Sequence, residues 1–157
     1  MSLLLEISSL FKNRKRYEIY TDGSLKRDQG SWSFIILQKG KIIKEASFHK
    51  KFSLQERSSN RMEFLAAIAA LSYLEANSYV TLYTDSRNLA DTMNLWVKDW
   101  VEQGWIKKNR STIPDLDLIQ SLYHLNLKHN IHWKWIAAHK GNKYNERCDE
   151  LCKFNVN

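Results

Sequence analysis

The first third of the chain alternates hydrophobic and polar residues, as strands with one buried face do. Three segments rich in strand-forming residues show this pattern, namely 17–21, 31–37 and 41–48. The residues Gln38-Lys39-Gly40 between the last two segments predict a tight hairpin turn. Residues 60–75 are then rich in Ala and Leu and apolar nearly all round, which predicts a helix buried on most sides.

The rest of the chain alternates strands with helices. The pattern predicts a fourth strand at 80–84, a helix at 86–100, a helix at 114–128, a fifth strand at 132–136 and a last helix at 142–153. A Trp-rich, basic excursion covers about 96–110. The predicted architecture is an α/β fold with three antiparallel strands, then strands connected through helices.

Chain direction brings three acidic residues toward one edge of the predicted sheet. If the first strand runs up, two hairpins make the third strand run up, and the helix from residue 60 runs down, so the fourth strand runs up. Asp22 then ends the first strand, Glu63 lies in the first turn of the helix, and Asp85 ends the fourth strand. If the first and fourth strands are neighbours, these carboxylates share a crevice of the kind that holds ligands in open α/β sheets. Clustered carboxylates repel one another unless a divalent cation neutralises them.

Each acidic residue also has a purely structural interpretation. Asp22-Gly23 is a common turn dipeptide, and Asn60-x-x-Glu63 resembles a capping box with Asn60 as N-cap. Asp85 is a candidate helix cap, and Asp149 lies in a charged stretch of the last helix. These interpretations do not explain why three of the positions fall at one edge of the sheet.

Composition narrows the function classes. The 157 residues carry a formal net charge of +7, with 43% hydrophobic and 26% charged residues, and the sequence pI is about 9.4. We expect one soluble domain spanning 1–157, with 1–16 as a short extension. The basic balance favours nucleic acid or an anionic membrane surface as partner, the alternative being a solvated basic surface. No apolar run reaches the roughly 20 residues of a transmembrane helix, and residues 1–5 do not have the order of a secretory signal.

Cys148 and Cys152 are the two cysteines, four residues apart on one predicted helix. With no further cysteine and no suitably spaced histidine, they provide neither a disulfide framework nor a zinc site. We therefore expect a reducing, cytoplasmic setting.

Five short segments, in order along the chain, closely resemble type 1 ribonuclease H, in particular its bacterial form. They are Thr21-Asp22-Gly23-Ser24, Asn60-Arg61-Met62-Glu63, Thr84-Asp85-Ser86, His139-Lys140-Gly141 and Asn145-Glu146-Arg147-Cys148-Asp149-Glu150-Leu151. The resemblance runs from about Tyr17 to Lys153. It implies a ribonuclease H-like fold, a five-stranded mixed sheet flanked by helices, and an endonuclease that hydrolyses the RNA strand of RNA–DNA hybrids.

The resemblance also implies the site residues. The four metal-binding carboxylates would be Asp22, Glu63, Asp85 and Asp149, with His139 as a loop histidine that assists proton movement and product release. Two Mg²⁺ ions, or Mn²⁺ as a substitute, would activate water and stabilise the leaving oxygen, leaving 5′-phosphate and 3′-hydroxyl ends. Because of its central place in the crevice, Asp22 is the natural bridging ligand.

The expected substrate contacts surround this cluster. Gly23 and Ser24 lie beside the metal site and allow close backbone approach to a 2′-hydroxyl. The resemblance places Ser58 at a DNA-strand phosphate, Ser59 and Asn60 at bases in the minor groove, and Trp96 and Trp100 on the helix leading into a basic protrusion. A further candidate is Arg87, at a position often held by Gln. Bacterial members of the family usually carry basic residues where this chain has Val101-Glu102-Gln103, and Lys107 and Lys108 are candidates to supply that positive charge instead. Packing in the core is the alternative for the tryptophans.

Two other functional hypotheses are compatible with parts of this pattern. An integrase- or transposase-like enzyme has the same fold but commonly relies on three acidic residues and flanking DNA-binding domains, and a binding module without activity would have lost a carboxylate. All four carboxylates are present. We expect a monomer with an RNA–DNA hybrid as partner and with neither a membrane nor an obligate protein partner.

Overall fold

The computed structural model describes residues 3–4, 14–75 and 77–153, so most of the expected extension 1–16 lies outside the described residues. Five strands form one mixed sheet in the order β3-β2-β1-β4-β5. The strands are β1 (Arg16–Lys26), β2 (Gln29–Gln38), β3 (Lys41–Lys51), β4 (Tyr79–Thr84) and β5 (Asn130–Trp135). β1, β2 and β3 pair antiparallel, and β4 and β5 continue the sheet in parallel with β1. The predicted five-stranded mixed α/β architecture is confirmed.

Helices cover both faces of this sheet. They are α1 (Ser59–Tyr73), α2 (Arg87–Asp91), α3 (Val97–Glu102), α4 (Leu116–Lys128) and α5 (Lys143–Cys152). The larger core lies on the side of α1 and α4, where Phe64 and Leu71 of α1 pack against the sheet. The smaller one lies under α5, around Tyr20, Ile35 and Cys148. Among the described residues no helix combines the length and the apolar character needed to cross a membrane.

β1 and β4 are hydrogen-bonded neighbours, which the hydrophobic pattern alone left open. Tyr20 lies opposite Tyr83 in this parallel ladder, and their rings stack with centroids 4.6 Å apart. The recurring Tyr-Thr-Asp sequence therefore has a structural meaning, because its two copies end the same ladder side by side.

The prediction that Asp22 ends the first strand is wrong. β1 continues to Lys26 and stays paired with β2 throughout this stretch, whereas its ladder with β4 stops at Thr21 opposite Thr84. Asp22 is thus paired with β2 in the middle of β1, and on the other side it is the first residue of β1 beyond the ladder with β4. The turn interpretation of Asp22-Gly23 is wrong for the same reason.

Two-residue turns join the first three strands. Lys39 and Gly40, with φ of 51° and 75°, connect β2 and β3 as predicted. Arg27 and Asp28 connect β1 and β2, with Arg27 at φ 57°. This second turn carries no glycine and escaped the sequence pattern, which is why the first two strands were predicted too short.

The predicted helix at 86–100 is interrupted. Residues Thr92–Trp96 form a π-helical segment between α2 and α3, so the helical path reaches Glu102 with its register shifted. The next helix starts at Leu116 rather than at 114, because Asp115 has left-handed backbone geometry with φ 56°. The fifth strand starts at Asn130, two residues before the predicted start at 132.

Candidate active site

Three carboxylates meet where the β1–β4 ladder ends. One ligand oxygen from each of Asp22, Glu63 and Asp85 lies within 4.8 Å of those from the other two. Asp22 and Glu63 are buried and Asp85 is half-buried. The Oε2 atom of Glu63 is buried with no hydrogen-bond partner among the described residues. A buried, unsatisfied carboxylate oxygen facing two further carboxylates fits the donor set that hard divalent cations prefer.

Gly23 allows β1 and α1 to approach closely enough for this cluster. A Cβ atom built on Gly23 would lie 2.4 Å from the carbonyl carbon of Met62 and 2.5 Å from the backbone nitrogen of Glu63. Both are backbone atoms of α1, so no side-chain rotation could make room. The missing side chain of Gly23 therefore allows Asp22 and Glu63 to lie close together. The expected contact of the Gly23 backbone with substrate stays a prediction.

Capping residues leave the carboxylates available. The N-cap of α1 is Ser58, whose Oγ accepts a hydrogen bond from the Arg61 backbone N–H at 3.3 Å, so the capping box centred on Asn60 is wrong. Glu63 consequently begins the second turn of α1 rather than lying in the first. Ser86 caps α2 by accepting from the Leu89 N–H at 3.1 Å, so Asp85 is not the cap.

Hydrogen bonds from β2 fix the helix that carries Asp149. The hydroxyls of Ser31 and Ser33 donate to the carbonyls of Cys152 and Cys148, each at 2.7 Å. These buried serines hold α5 against the sheet and were not singled out in the sequence, where they look like ordinary strand residues. Asp149 is half-buried, pairs with Lys153 at 3.6 Å, and lies outside the close triad.

Burial and, after it, mutual repulsion raise the pKa values of the clustered carboxylates. Burial, then the charges of Asp85 and Asp149, raise the pKa of Asp22 to about 7. Burial and the neighbouring carboxylates Asp22 and Asp85 raise the pKa of Glu63 well above its usual range. Burial and then Asp149 raise the pKa of Asp85, while the positive charge of nearby His139 lowers it. The charges of Asp149 and His139 thus act on the triad from outside it.

These raised pKa values predict that the metal-free protein loses stability as pH rises. A carboxyl group whose pKa is higher in the folded than in the unfolded state stabilises the fold below pH 4, and this contribution is lost as pH rises through about 7 for Asp22. We expect the free energy of unfolding of Asp22→Asn to exceed that of the wild type by about 2 to 4 kcal/mol at pH 8, with little difference at pH 4. Urea denaturation in EDTA at both pH values measures this. Groups that do not interact with Asp22, such as His129, are common to both proteins and cancel in the difference, so an equal gain at both pH values would contradict the repulsion.

The start of the His139 loop is fixed by an aromatic residue at the end of β5. The indole N–H of Trp135 donates to the backbone carbonyl of Asp85 at 3.1 Å, and the Arg87 guanidinium lies 3.8 Å from the centroid of the same ring. Arg87 is therefore stacked beside the site. His139 is exposed in the following loop, at φ 54°. Trp135 was missed because a strand tryptophan carries no functional signal by itself.

A cleft of about 410 Å³ lies between the start of α1 and the Trp-rich segment. Its lining includes Asn60, Trp96, Trp100 and Lys107, and the two indole rings lie 6.0 Å apart. Trp96 is 39% exposed, whereas Trp100 packs partly against the core. The tryptophans therefore both line the cleft and, in the case of Trp100, contribute to core packing.

The remaining residues that were expected to contact substrate do not line the cleft. Ser59 is exposed beside the cleft, Ser24 is half-buried on β1, and Lys108 is exposed without lining the cleft. The hydroxyl of Ser58 is already engaged as the α1 cap.

Known proteins resemble this chain over nearly its whole length. The family model for RNase H matches residues 14–156. Ribonuclease H of Francisella philomiragia subsp. philomiragia is 36% identical over 144 residues, covering 90% of this chain and 91% of that protein. Ribonuclease H of Francisella tularensis subsp. novicida is 37% identical with the same coverage.

Solved structures share the fold. LC9-RNase H1, described as a type 1 RNase H with the type 2 active-site motif, superposes with a TM-score of 0.74 at 25% identity, covering 88% of this chain and 70% of that one. LC11-RNase H1, in complex with an RNA/DNA hybrid, superposes with a TM-score of 0.63 at 22% identity, covering 86% and 92%. With the acidic triad at the edge of a five-stranded mixed sheet, these matches show that the chain belongs to the ribonuclease H family of nucleases.

Proposed function

We propose that this protein is a Mg²⁺-dependent endonuclease that hydrolyses the RNA strand of RNA–DNA hybrids and leaves 5′-phosphate and 3′-hydroxyl ends. The observation that carries the proposal is the triad Asp22, Glu63 and Asp85, whose oxygens converge within 4.8 Å. The family match and the relatives named Ribonuclease H support the reaction class. We further propose one domain spanning 1–157 that acts in the cytoplasm as a monomer.

The chemistry of the donor set supports Mg²⁺. Carboxylate oxygens are the ligands that this ion accepts, and it retains waters, so a few carboxylates together with substrate phosphate suffice. Asp22, Glu63 and Asp85 would hold the ions, with Asp149 completing the set from the flank. Two bound Mg²⁺ ions supply water activation and charge stabilisation at the leaving oxygen in an in-line displacement. Mn²⁺ satisfies the same oxygen ligands.

The residues around the triad then have distinct tasks. Gly23 fixes the spacing of Asp22 and Glu63, and the Trp135 indole holds the backbone of Asp85. Ser24, on the same strand face as Asp22, offers a small polar group to the RNA 2′-hydroxyl, the group that distinguishes RNA from DNA.

The cleft is the proposed path of the DNA strand. Asn60 and Ser59 border it at the start of α1, and Trp96, Trp100 and Lys107 line its other side. Aromatic rings and a lysine beside an open groove suit a sugar–phosphate backbone and need no base sequence. The hybrid bound by LC11-RNase H1 supports this class of substrate.

One assay tests the proposal against its alternatives. The protein is incubated with Mg²⁺ and either an RNA–DNA hybrid or the matched DNA duplex, each end-labelled on both strands. We expect cleavage of the hybrid RNA strand alone, and none in EDTA. Cleavage of the DNA duplex would favour an integrase-like enzyme, and binding without cleavage would favour a module without activity.

Replacing His139 should slow the reaction without removing it. A proton-transfer group contributes about 10²-fold or more, so we expect His139→Ala to lose about 10²-fold in kcat. Mg²⁺ affinity, measured by calorimetry, should hardly change because imidazole is not a favoured Mg²⁺ ligand. Lys140→Ala, in the same exposed loop, is the control. A wild-type kcat in His139→Ala would make His139 a surface residue with no catalytic task.

Lys107 should act on affinity. It lines the cleft while its neighbour Lys108 does not, so Lys108→Ala is a matched control with the same loss of charge. We expect Lys107→Ala to raise KM several-fold with kcat nearly unchanged, and to flatten the log–log salt dependence by about one unit. Equal effects of the two variants, or a fall in kcat at constant KM, would contradict a cleft contact.

A further inference from the structure

The three antiparallel strands extend past the carboxylates. The β1–β4 ladder ends at Thr21 and the β4–β5 ladder ends at Trp135, yet β1 runs on to Lys26. From Asp22 to Lys26 this projection is about 13 Å long, at roughly 3.3 Å per strand residue. It rises directly from the reacting centre.

Basic residues occupy the end of the projection. Lys26 lies opposite Gln29, and Gln29 lies opposite Lys51, while Arg27 forms the turn. We refer to Lys26, Arg27 and Lys51 as the basic corner. The nearby acidic residue is Asp28, which pairs with Lys51 at 3.3 Å. No carboxylate of the described residues is within ion-pair distance of Lys26 or Arg27, and both side chains are exposed.

The basic corner faces the same way as the reacting centre. Side chains alternate along a strand, so Asp22, Ser24 and Lys26 share one face of β1. Directly opposed residues of antiparallel strands share a face as well, which adds Lys51. The end of α5 covers this face only as far as Ser31, whose hydroxyl bonds the Cys152 carbonyl. Beyond Ser31, within residues 14–153, the face is open.

We propose that the basic corner binds backbone phosphates of the RNA strand a few nucleotides from the cleaved bond, as a second electrostatic contact opposite the cleft. The inference rests on the proposed function. The strand that reacts at Asp22 is the RNA strand, and β1 leads from Asp22 straight to Lys26. The cleft that would take the DNA strand lies instead against α1 and α3. Lys26 and Arg27 have no ion-pair partner among the described residues, and such positive charge along the path of a polyanion favours phosphate contact.

The corner also adds to the few basic contacts that the cleft offers. Of the basic residues in the Trp-rich segment, Lys107 alone is among the residues that line the cleft. With the basic corner on the RNA strand and the cleft on the DNA strand, the hybrid would be bound on both sides of the reacting centre.

The test compares two double variants that remove equal charge. Lys26→Gln with Arg27→Gln, the corner variant, removes the two positive charges of the basic corner that have no ion-pair partner among the described residues. Lys39→Gln with Lys41→Gln is the control at the β2–β3 turn, at the other end of the same strands. Each pair contains one residue with left-handed geometry, at φ 57° for Arg27 and 51° for Lys39, so backbone strain is matched.

We expect the corner variant to raise KM for a long hybrid about tenfold at 0.1 M salt and to flatten the log–log salt slope by about two units, with little change in kcat. The control should change KM less than twofold. Equal KM changes in both variants, or an unchanged KM in the corner variant, would overturn the proposal. Wild-type cleavage of the same hybrid reports on the proposed function separately.

Strand assignment needs a second measurement. Hybrids are prepared with one neutral methylphosphonate, either in the DNA strand or at a single deoxynucleotide placed in the RNA strand a few positions from the cut. Neutralising the contacted RNA phosphate should weaken binding by the wild type and leave the corner variant unaffected. If only DNA-strand neutralisation has this effect, the RNA assignment is wrong.

Discussion

Asp22→Asn should lower kcat on an RNA–DNA hybrid by at least about 10³-fold in Mg²⁺ while the fold remains intact. The substitution keeps the shape of the side chain and removes the negative charge at the centre of the triad, where the oxygens of Asp22, Glu63 and Asp85 meet within 4.8 Å. Because the proposed reaction depends on metal held by this charge, loss of one central ligand should remove more activity than loss of a proton shuttle.

Single-turnover cleavage with excess enzyme measures the effect, and circular dichroism checks the fold. Glu75→Gln is the control, because the Glu75 side chain is 86% exposed and its ion pair with Lys15 is long, at 4.0 Å. Asp85→Asn should resemble Asp22→Asn. Near-normal cleavage by Asp22→Asn in Mg²⁺ would refute the metal-site assignment.

Gly23→Ala should be nearly as damaging, although it changes no charge. The added methyl group would lie 2.4 to 2.7 Å from backbone atoms of Met62 and Glu63, so β1 and α1 must move apart. Overpacking of this kind destabilises by about 2 kcal/mol. A shift of about 1 Å in a catalytic group lowers the rate about 10²-fold, and we expect a loss of that size in kcat.

Gly30→Ala separates the loss of stability from the loss of geometry. Its added methyl group would lie 2.4 Å from the Met62 sulfur and 2.5 Å from the Phe52 ring, both of which belong to side chains that can adjust. We expect Gly30→Ala to destabilise the protein while keeping most of its kcat. If both variants lose stability and activity in the same proportion, Gly23 has no specific task in placing Glu63.

Patterns with strong local causes were predictable from sequence. The Ala- and Leu-rich helix, the Lys39-Gly40 turn and the five strands follow from side-chain periodicity and from the backbone freedom of glycine, which act within a few residues. Chain direction brought Asp22, Glu63 and Asp85 toward one another, and this grouping was correct. Residue-by-residue roles in the site stay predictions.

Interactions between distant segments were decided only by the tertiary structure. The β1–β4 pairing determines that Asp22 lies beside Asp85, and the length of β1 depends on β2 as partner, which the residues after Asp22 do not reveal. The true caps, Ser58 and Ser86, displaced the expected ones because a cap depends on where the helix actually begins.

The approach of Gly23 to α1 and the bonds from Ser31 and Ser33 to α5 join residues 39 to 121 positions apart. No local pattern encodes such contacts. The sequence by itself thus determined most of the elements that form and which acidic residues are grouped in the fold. Close packing of β1 against α1 and of α5 against β2 determined how deeply those carboxylates are buried and how near they lie to one another, and burial together with this proximity raises their pKa values.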